Sequence, residues 1–210
     1  MTTVADSQPK TQWREIGRFV HSRVSALQSA YLDPGRGSAR ASAVATLARL
    51  RRGIGKEVGA LPDLWEVLAG LPGELRDDGR PTWQERAAYT AITLYALHQQ
   101  SKSEPMHVPG RRLGEALREL RKSSPSEDPV RRRFLALGTA QSFTETVYHV
   151  RGLITLLRSH SIGLDYGSFA DDLYWLQTTR ADRVRLQWGR DFYRPVNDNT
   201  PAEGHPQDKE

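Results

Sequence analysis

Apolar residues recur at spacings of three and four along most of the chain, the repeat of helices with one buried face. The first run is Trp13, Ile16, Val20, Val24 and Leu27. DPGRG at 33–37 reads as a turn, and a second helix over about 38–52 carries Val44, Leu47 and Leu50 before Gly53. Trp65 to Leu68 suggests a short third helix, ended by GLPG at 70–73. Thr82 with Glu85 three residues on forms a capping box for a helix reaching about Gln100, with Ala88, Ile92, Tyr95 and Ala96 inward. SKSEPMHVPG at 101–110 breaks the repeat.

The pattern resumes at 111–122 with Leu113, Leu117 and Leu120. After SSPSED at 123–128 the chain reads DPVRRRFL, where Asp128 suits a helix cap and Pro129 the first helical position. Phe143, Val147, Val150, Ile154 and Leu157 form one stripe over about 142–159. Ser168 with Asp171 resembles a capping pair for a helix through Trp175, and a last helix covers about 179–193. No stretch alternates with period two for long enough to predict a strand. The expectation is all-α: two packed helical bundles, 11–104 and 105–195. Tails at 1–10 and 196–210 lack any apolar pattern and are expected to be disordered.

Charge changes this picture. The net charge is +5, and Arg outnumbers Lys by 25 to 5, favouring the planar fork that matches phosphate oxygens. A GC-rich genome would produce the same bias. On the last helix, at about 100° per residue, Ala181, Val184, Trp188 and Phe192 line one face, with Arg180, Arg183, Arg190 and Arg194 beside it. Arg151 and Arg158, seven residues apart, border the apolar stripe of the 142–159 helix. Arg49, Arg51 and Arg52 end the second helix, where the dipole favours cations. Arg131, Arg132 and Arg133 sit at the opposite, disfavoured end of theirs, at a cost of a few tenths of a kcal/mol, roughly, that one phosphate contact would offset. They span about 200° of helix circumference, so one is expected to pair with a carboxylate of the protein and the others to face outward.

Little points to catalysis. There is no cysteine, which excludes disulfides, thiol chemistry and cysteine zinc sites. No pair among His21, His98, His107, His149, His160 and His205 has zinc-ligand spacing, and no phosphate loop is present. The adjacent carboxylates Asp77–Asp78 and Asp171–Asp172 point in different directions on a helix, and Asp171 fits a helix start. The tryptophans and tyrosines fall mostly at core spacing, Trp83 being the more exposed. No signal peptide or membrane span is evident, so the chain is expected to be cytoplasmic.

Several stretches in order resemble the small subunit of the type I-E Cascade complex, the CRISPR-associated CasB family. They are LARLRRG at 47–53, LGEAL at 113–117, RRRF at 131–134, VRGL at 150–153, LDY at 164–166, DDLYW at 171–175, Trp188, and DFY at 191–193. The resemblance covers about residues 13–194. It implies an all-helical, non-enzymatic subunit without cofactor. Two copies line an RNA-guided complex beside its backbone and large subunits, helping to hold guide RNA, target strand and displaced DNA strand in the R-loop. Its basic surface would fall on Arg51, Arg52, Arg131, Arg132, Arg133, Arg151, Arg158 and Arg183. The alternative is a helical assembly adaptor whose basic face meets acidic proteins. A stand-alone DNA-binding regulator would need Asn and Gln base readers, which the arginine helices scarcely carry.

Overall fold

The structure is a computed structural model, and it describes residues 13–195 apart from 36, 74, 75, 77 and 124–127. The expected tails and most of the 123–128 loop lie outside those residues. Among the described residues eight α-helices follow in order: α1 (Glu15–Leu32), α2 (Gly37–Arg52), α3 (Trp83–His98), α4 (Leu113–Ser123), α5 (Asp128–Gly138), α6 (Phe143–Ser159), α7 (Tyr166–Trp175) and α8 (Ala181–Tyr193). A short 3-10 helix spans Pro62–Leu68. Among the described residues the only β contact is an isolated parallel bridge between His107 and Leu164. The all-α expectation holds.

Helix starts follow their capping chemistry. The Thr82–Glu85 box is formed in both directions, at 3.1 and 2.7 Å. Ser142 caps α6 by accepting from the Glu145 N–H at 3.1 Å. The expected Ser168–Asp171 pair is a correction: α7 begins three residues earlier, with Asp165 as its cap. Asp165 is fully buried and accepts from the Ser168 N–H and hydroxyl, the Gly110 N–H and the Trp13 indole, so a single carboxylate ties three segments together.

Asp171 lies mid-helix, and its carboxylate accepts from the Arg14 N–H at 2.8 Å and the Gly17 N–H at 2.9 Å. It therefore caps α1, whose own N-cap residue, Arg14, supplies no side-chain bond. The two helices cross at glycines. A β-carbon on Gly17 would meet Asp171 Oδ2 at 2.4 Å and the Gly167 carbonyl at 2.8 Å.

α3 is the centre. The sequence pattern predicts one inward stripe, but every residue from Ala87 to Ala96 is buried, because α1, α2, α6 and α7 all pack on it. α1, α2, the 3-10 helix, α3 and α7 form one group of neighbours; α4, α5, α6 and α8 form another; α3–α6 and α7–α8 contacts join them. One hydrophobic cluster runs through both groups, from Ile16 to Phe192. In α2 the register differs slightly from expectation, with Ala43 buried and Val44 exposed.

The 99–112 connection is held by amide side chains. Gln99 accepts from the Met106 N–H and donates to the Lys102 and Glu104 carbonyls. Gln28 of α1 pairs with both backbone groups of His107. His107 Nδ1 accepts from the Tyr166 N–H at 3.1 Å, so its proton sits on Nε2 and is donated to His21 Nδ1 at 2.8 Å. This histidine pair, 86 residues apart in the chain, was invisible to spacing rules. Burial pushes His107 down to about 4 and His98, bonded to the Tyr166 hydroxyl, down to about 3.

Candidate nucleic-acid interface

α5 buries Val130, Phe134 and Leu137, with Phe134 stacked on Phe192 of α8 at 4.1 Å. That register leaves Arg131, Arg132 and Arg133 exposed. α6 buries Thr146, Val150, Leu153, Ile154 and Leu157 and turns Tyr148, Arg151, Gly152 and Thr155 outward. Arg132, Arg133 and Ala136 of α5 and Tyr148, His149, Arg151 and Gly152 of α6 line one groove between the helices. Ala136 and Gly152 keep its floor low. Three of the eight predicted arginines thus converge.

Among the described residues none of the three arginines forms an ion pair. Arg133 donates only to the Pro129 carbonyl, at 3.4 Å. The nearby acidic loop lies outside the described residues.

Tyr148 and Arg151 also border a second groove on the other side of α6, lined by Lys56, Arg86, Tyr89 and Thr144 among others. The ridge between the two grooves thus carries an aromatic ring and a guanidinium one helical turn apart.

A third basic site lies between α7 and α8. Arg14 and Arg180 sit over Trp175, at 4.6 and 4.4 Å from its ring centroid. Arg112, Arg183 and Arg190 line the same cleft, whose floor holds Asp171 and Asp172. Asp172 accepts from the Trp188 indole at 2.7 Å and lies 3.5 Å from Arg112. Burial pushes it up to about 6, while Arg112 and Trp188 oppose the rise. Arg112 pairs with Asp172 and, at 4.0 Å, with Asp191; Arg183 and Arg190 are exposed.

The remaining predicted arginines stand apart from these sites. Arg51 is half-buried at the end of α2, and Arg52 pairs with Asp63 of the 3-10 helix. Arg158 donates to Gln100 at 3.0 Å, fastening α6 to the turn after α3. Sequence reasoning missed Tyr148, Lys56 and Arg86. The tyrosines fall mostly at core spacing, but Tyr148 is 75% exposed; its position three residues before Arg151, off the α6 stripe, is the available signal. Among the described residues no group of three or more His, Asp or Glu could hold a metal ion, and no helix is long and apolar enough to cross a membrane.

The family model for CRISPR-associated protein Cse2 matches residues 46–193. The chain belongs to the Cse2 family. Among solved Cse2-type structures, CasB from Thermobifida fusca is 42% identical, with a TM-score of 0.71 over 86% of this chain and 99% of that one. The Cse2-family protein from Thermus thermophilus (24% identity, TM-score 0.59, 83% and 97% covered) and CasB from M. ruber (24%, 0.59, 82% and 93%) share the fold. No curated protein matches the chain. The Cse2 match spans α3 to α8, and with them the α5–α6 groove and the α7–α8 cleft.

Proposed function

We propose that this protein is the non-catalytic small subunit of a type I-E Cascade complex, acting in the cytoplasm beside backbone and large subunits and a second copy of itself. Its arginine-bearing helix faces hold the sugar-phosphate backbone of guide RNA, target DNA and displaced strand, and so stabilise the R-loop. The observation that carries this reading is the convergence of Arg132, Arg133 and Arg151, exposed and without ion pairs among the described residues, on one groove of a Cse2-family fold. Arg183 adds to it from the α7–α8 cleft; Arg51, Arg52, Arg131 and Arg158 are secondary.

Guide pairing supplies sequence specificity in such complexes, so the protein need read only charge and backbone shape. Each neutralised phosphate releases condensed counterions. R-loop formation is nearly balanced, so a few backbone contacts shift the population strongly. The strongly perturbed groups, Asp172, His98 and His107, are engaged in packing and capping contacts, which accounts for them without a reaction.

Fluorescence anisotropy with single-stranded DNA, RNA and duplex across a salt series tests the proposal. Sequence-independent binding is expected, its salt slope shallower in the R132A/R133A/R151A variant by about 0.7 per lost single-strand contact. An unchanged slope would refute the groove assignment. A folded protein that binds no nucleic acid, yet captures a partner subunit after nuclease treatment, would favour the adaptor reading.

A further inference from the structure

The fold gives no use to Tyr148. It is 75% exposed on the solvent face of α6, and among the described residues its one ring pairing is edge-on to His149, 5.4 Å between centroids. Its surroundings point to a ligand. On one side lie Arg132, Arg133 and the low floor of Ala136 and Gly152; on the other, Lys56 and Arg86 with one carboxylate, Glu57. Arg151, one turn along, is its neighbour on the helix surface, about 5–6 Å away between β-carbons. A Cβ built on Gly152 would meet nothing within 4 Å, so the space beside the ring is open.

An aromatic face set among cations that form no ion pair among the described residues is the footprint of unpaired nucleotides: bases stack on the ring while cations track the phosphates. A duplex hides its base faces and could use the cations but not the ring. We infer that Tyr148 is a base-stacking residue that makes the α6 ridge selective for single-stranded nucleic acid. This rests on the nucleic-acid reading above and adds strand selectivity and the residue that confers it. A partner-protein surface would use the ring as well, but the flanking Arg132, Arg133, Arg151, Lys56 and Arg86 match a polyanion better than an apolar protein patch.

The test compares wild type, Tyr148→Leu and Tyr148→Phe on oligothymidylate and on the matching dT·dA duplex, by anisotropy across salt. Stacking of one base contributes a factor of about 5 to 150 in affinity. Tyr148→Leu is expected to weaken single-strand binding about tenfold with the salt slope unchanged and duplex binding unaffected. Tyr148→Phe, which keeps the ring, should bind as wild type does. A 2-aminopurine in the strand should be quenched on binding by wild type and the Phe variant, and not by the Leu variant. If wild type binds and the Leu variant binds single strands equally well, or loses duplex affinity in parallel, the stacking role is overturned while the backbone-clamp reading stands. If nucleic-acid binding is unchanged and capture of a partner subunit is lost, Tyr148 belongs to a protein interface. If wild type binds no nucleic acid, both readings fail together.

Discussion

Gly17→Ala tests how α7 is joined to α1. An added β-carbon would lie 2.4 Å from Asp171 Oδ2, 2.8 Å from its Cγ and 2.8 Å from the Gly167 carbonyl. The carbonyl is backbone and cannot rotate away, so either the helices separate or the carboxylate leaves. Overpacking of this kind costs about 1–3 kcal/mol. If the carboxylate leaves, the bonds it accepts from Arg14 and Gly17 go too, each worth about 1.5–3 kcal/mol for a charged partner. Alanine returns about 1 kcal/mol of helix propensity. The net expectation is a loss of at most about 2 kcal/mol if the helices separate and about 2–5 kcal/mol if the carboxylate leaves, the latter a Tm lower by roughly 4–20 °C for a chain of this size. Thermal unfolding followed by far-UV circular dichroism measures it. Gly189→Ala in α8 is the control: its β-carbon would meet nothing within 4 Å, so it should be neutral or raise Tm. If Gly17→Ala matched this control, the close crossing and the capping role of Asp171 would both be refuted.

Asp165→Ala removes the acceptor of the Trp13 indole and of the Gly110 and Ser168 N–H groups, and should cost at least about 3 kcal/mol in urea unfolding; Asp63→Ala, breaking the exposed pair with Arg52, should stay within about 0.5 kcal/mol. Arg158→Ala should lower stability through its lost bond to Gln100 while leaving the salt slope of nucleic-acid binding unchanged; a shallower slope would place it in the interface. His107, at about 4 in the fold against an ordinary 6.5, stays neutral where the unfolded chain takes up a proton. Its contribution to stability is therefore complete above about pH 6.5 and lost as pH falls toward 4, and its ring proton resonances should not move between pH 7.5 and 5.5; a midpoint near 6.5 would contradict its burial.

Helices and their order were legible because each buries a stripe with period 3.6, and Thr82–Glu85 and Ser142 mark starts by local chemistry. What stayed hidden was long-range. Asp171 reads as a local helix-start residue, yet it bonds the start of α1, 154 residues away at Gly17; Asp165 caps its own helix and also holds Trp13 across 152 residues, and nothing in one helix announces a cap for another. The His21–His107 pair is hidden in the same way. At the interface, the exposure of Arg132, Arg133 and Arg151 follows from the apolar registers of α5 and α6, but their convergence follows from how those helices pack. Arg52 and Arg158 look like free cations in sequence and prove to have partners, because Asp63 and Gln100 are brought to them by other elements. Tyr148 stands off the α6 stripe, so its exposure was legible there, but the two grooves it borders come only from packing.

The packing of α7 against α1 and α3 also bears on how the chain is made. Trp13 meets Asp165 across 152 residues, so during synthesis α1 waits for its partner for roughly 8–30 s at ordinary elongation rates. Until then α1 and α3 lack the α7 surface that packs on them. A nascent chain released at residue 104 would display that apolar seam, making it a target for chaperones and proteases and a poor candidate for separate expression.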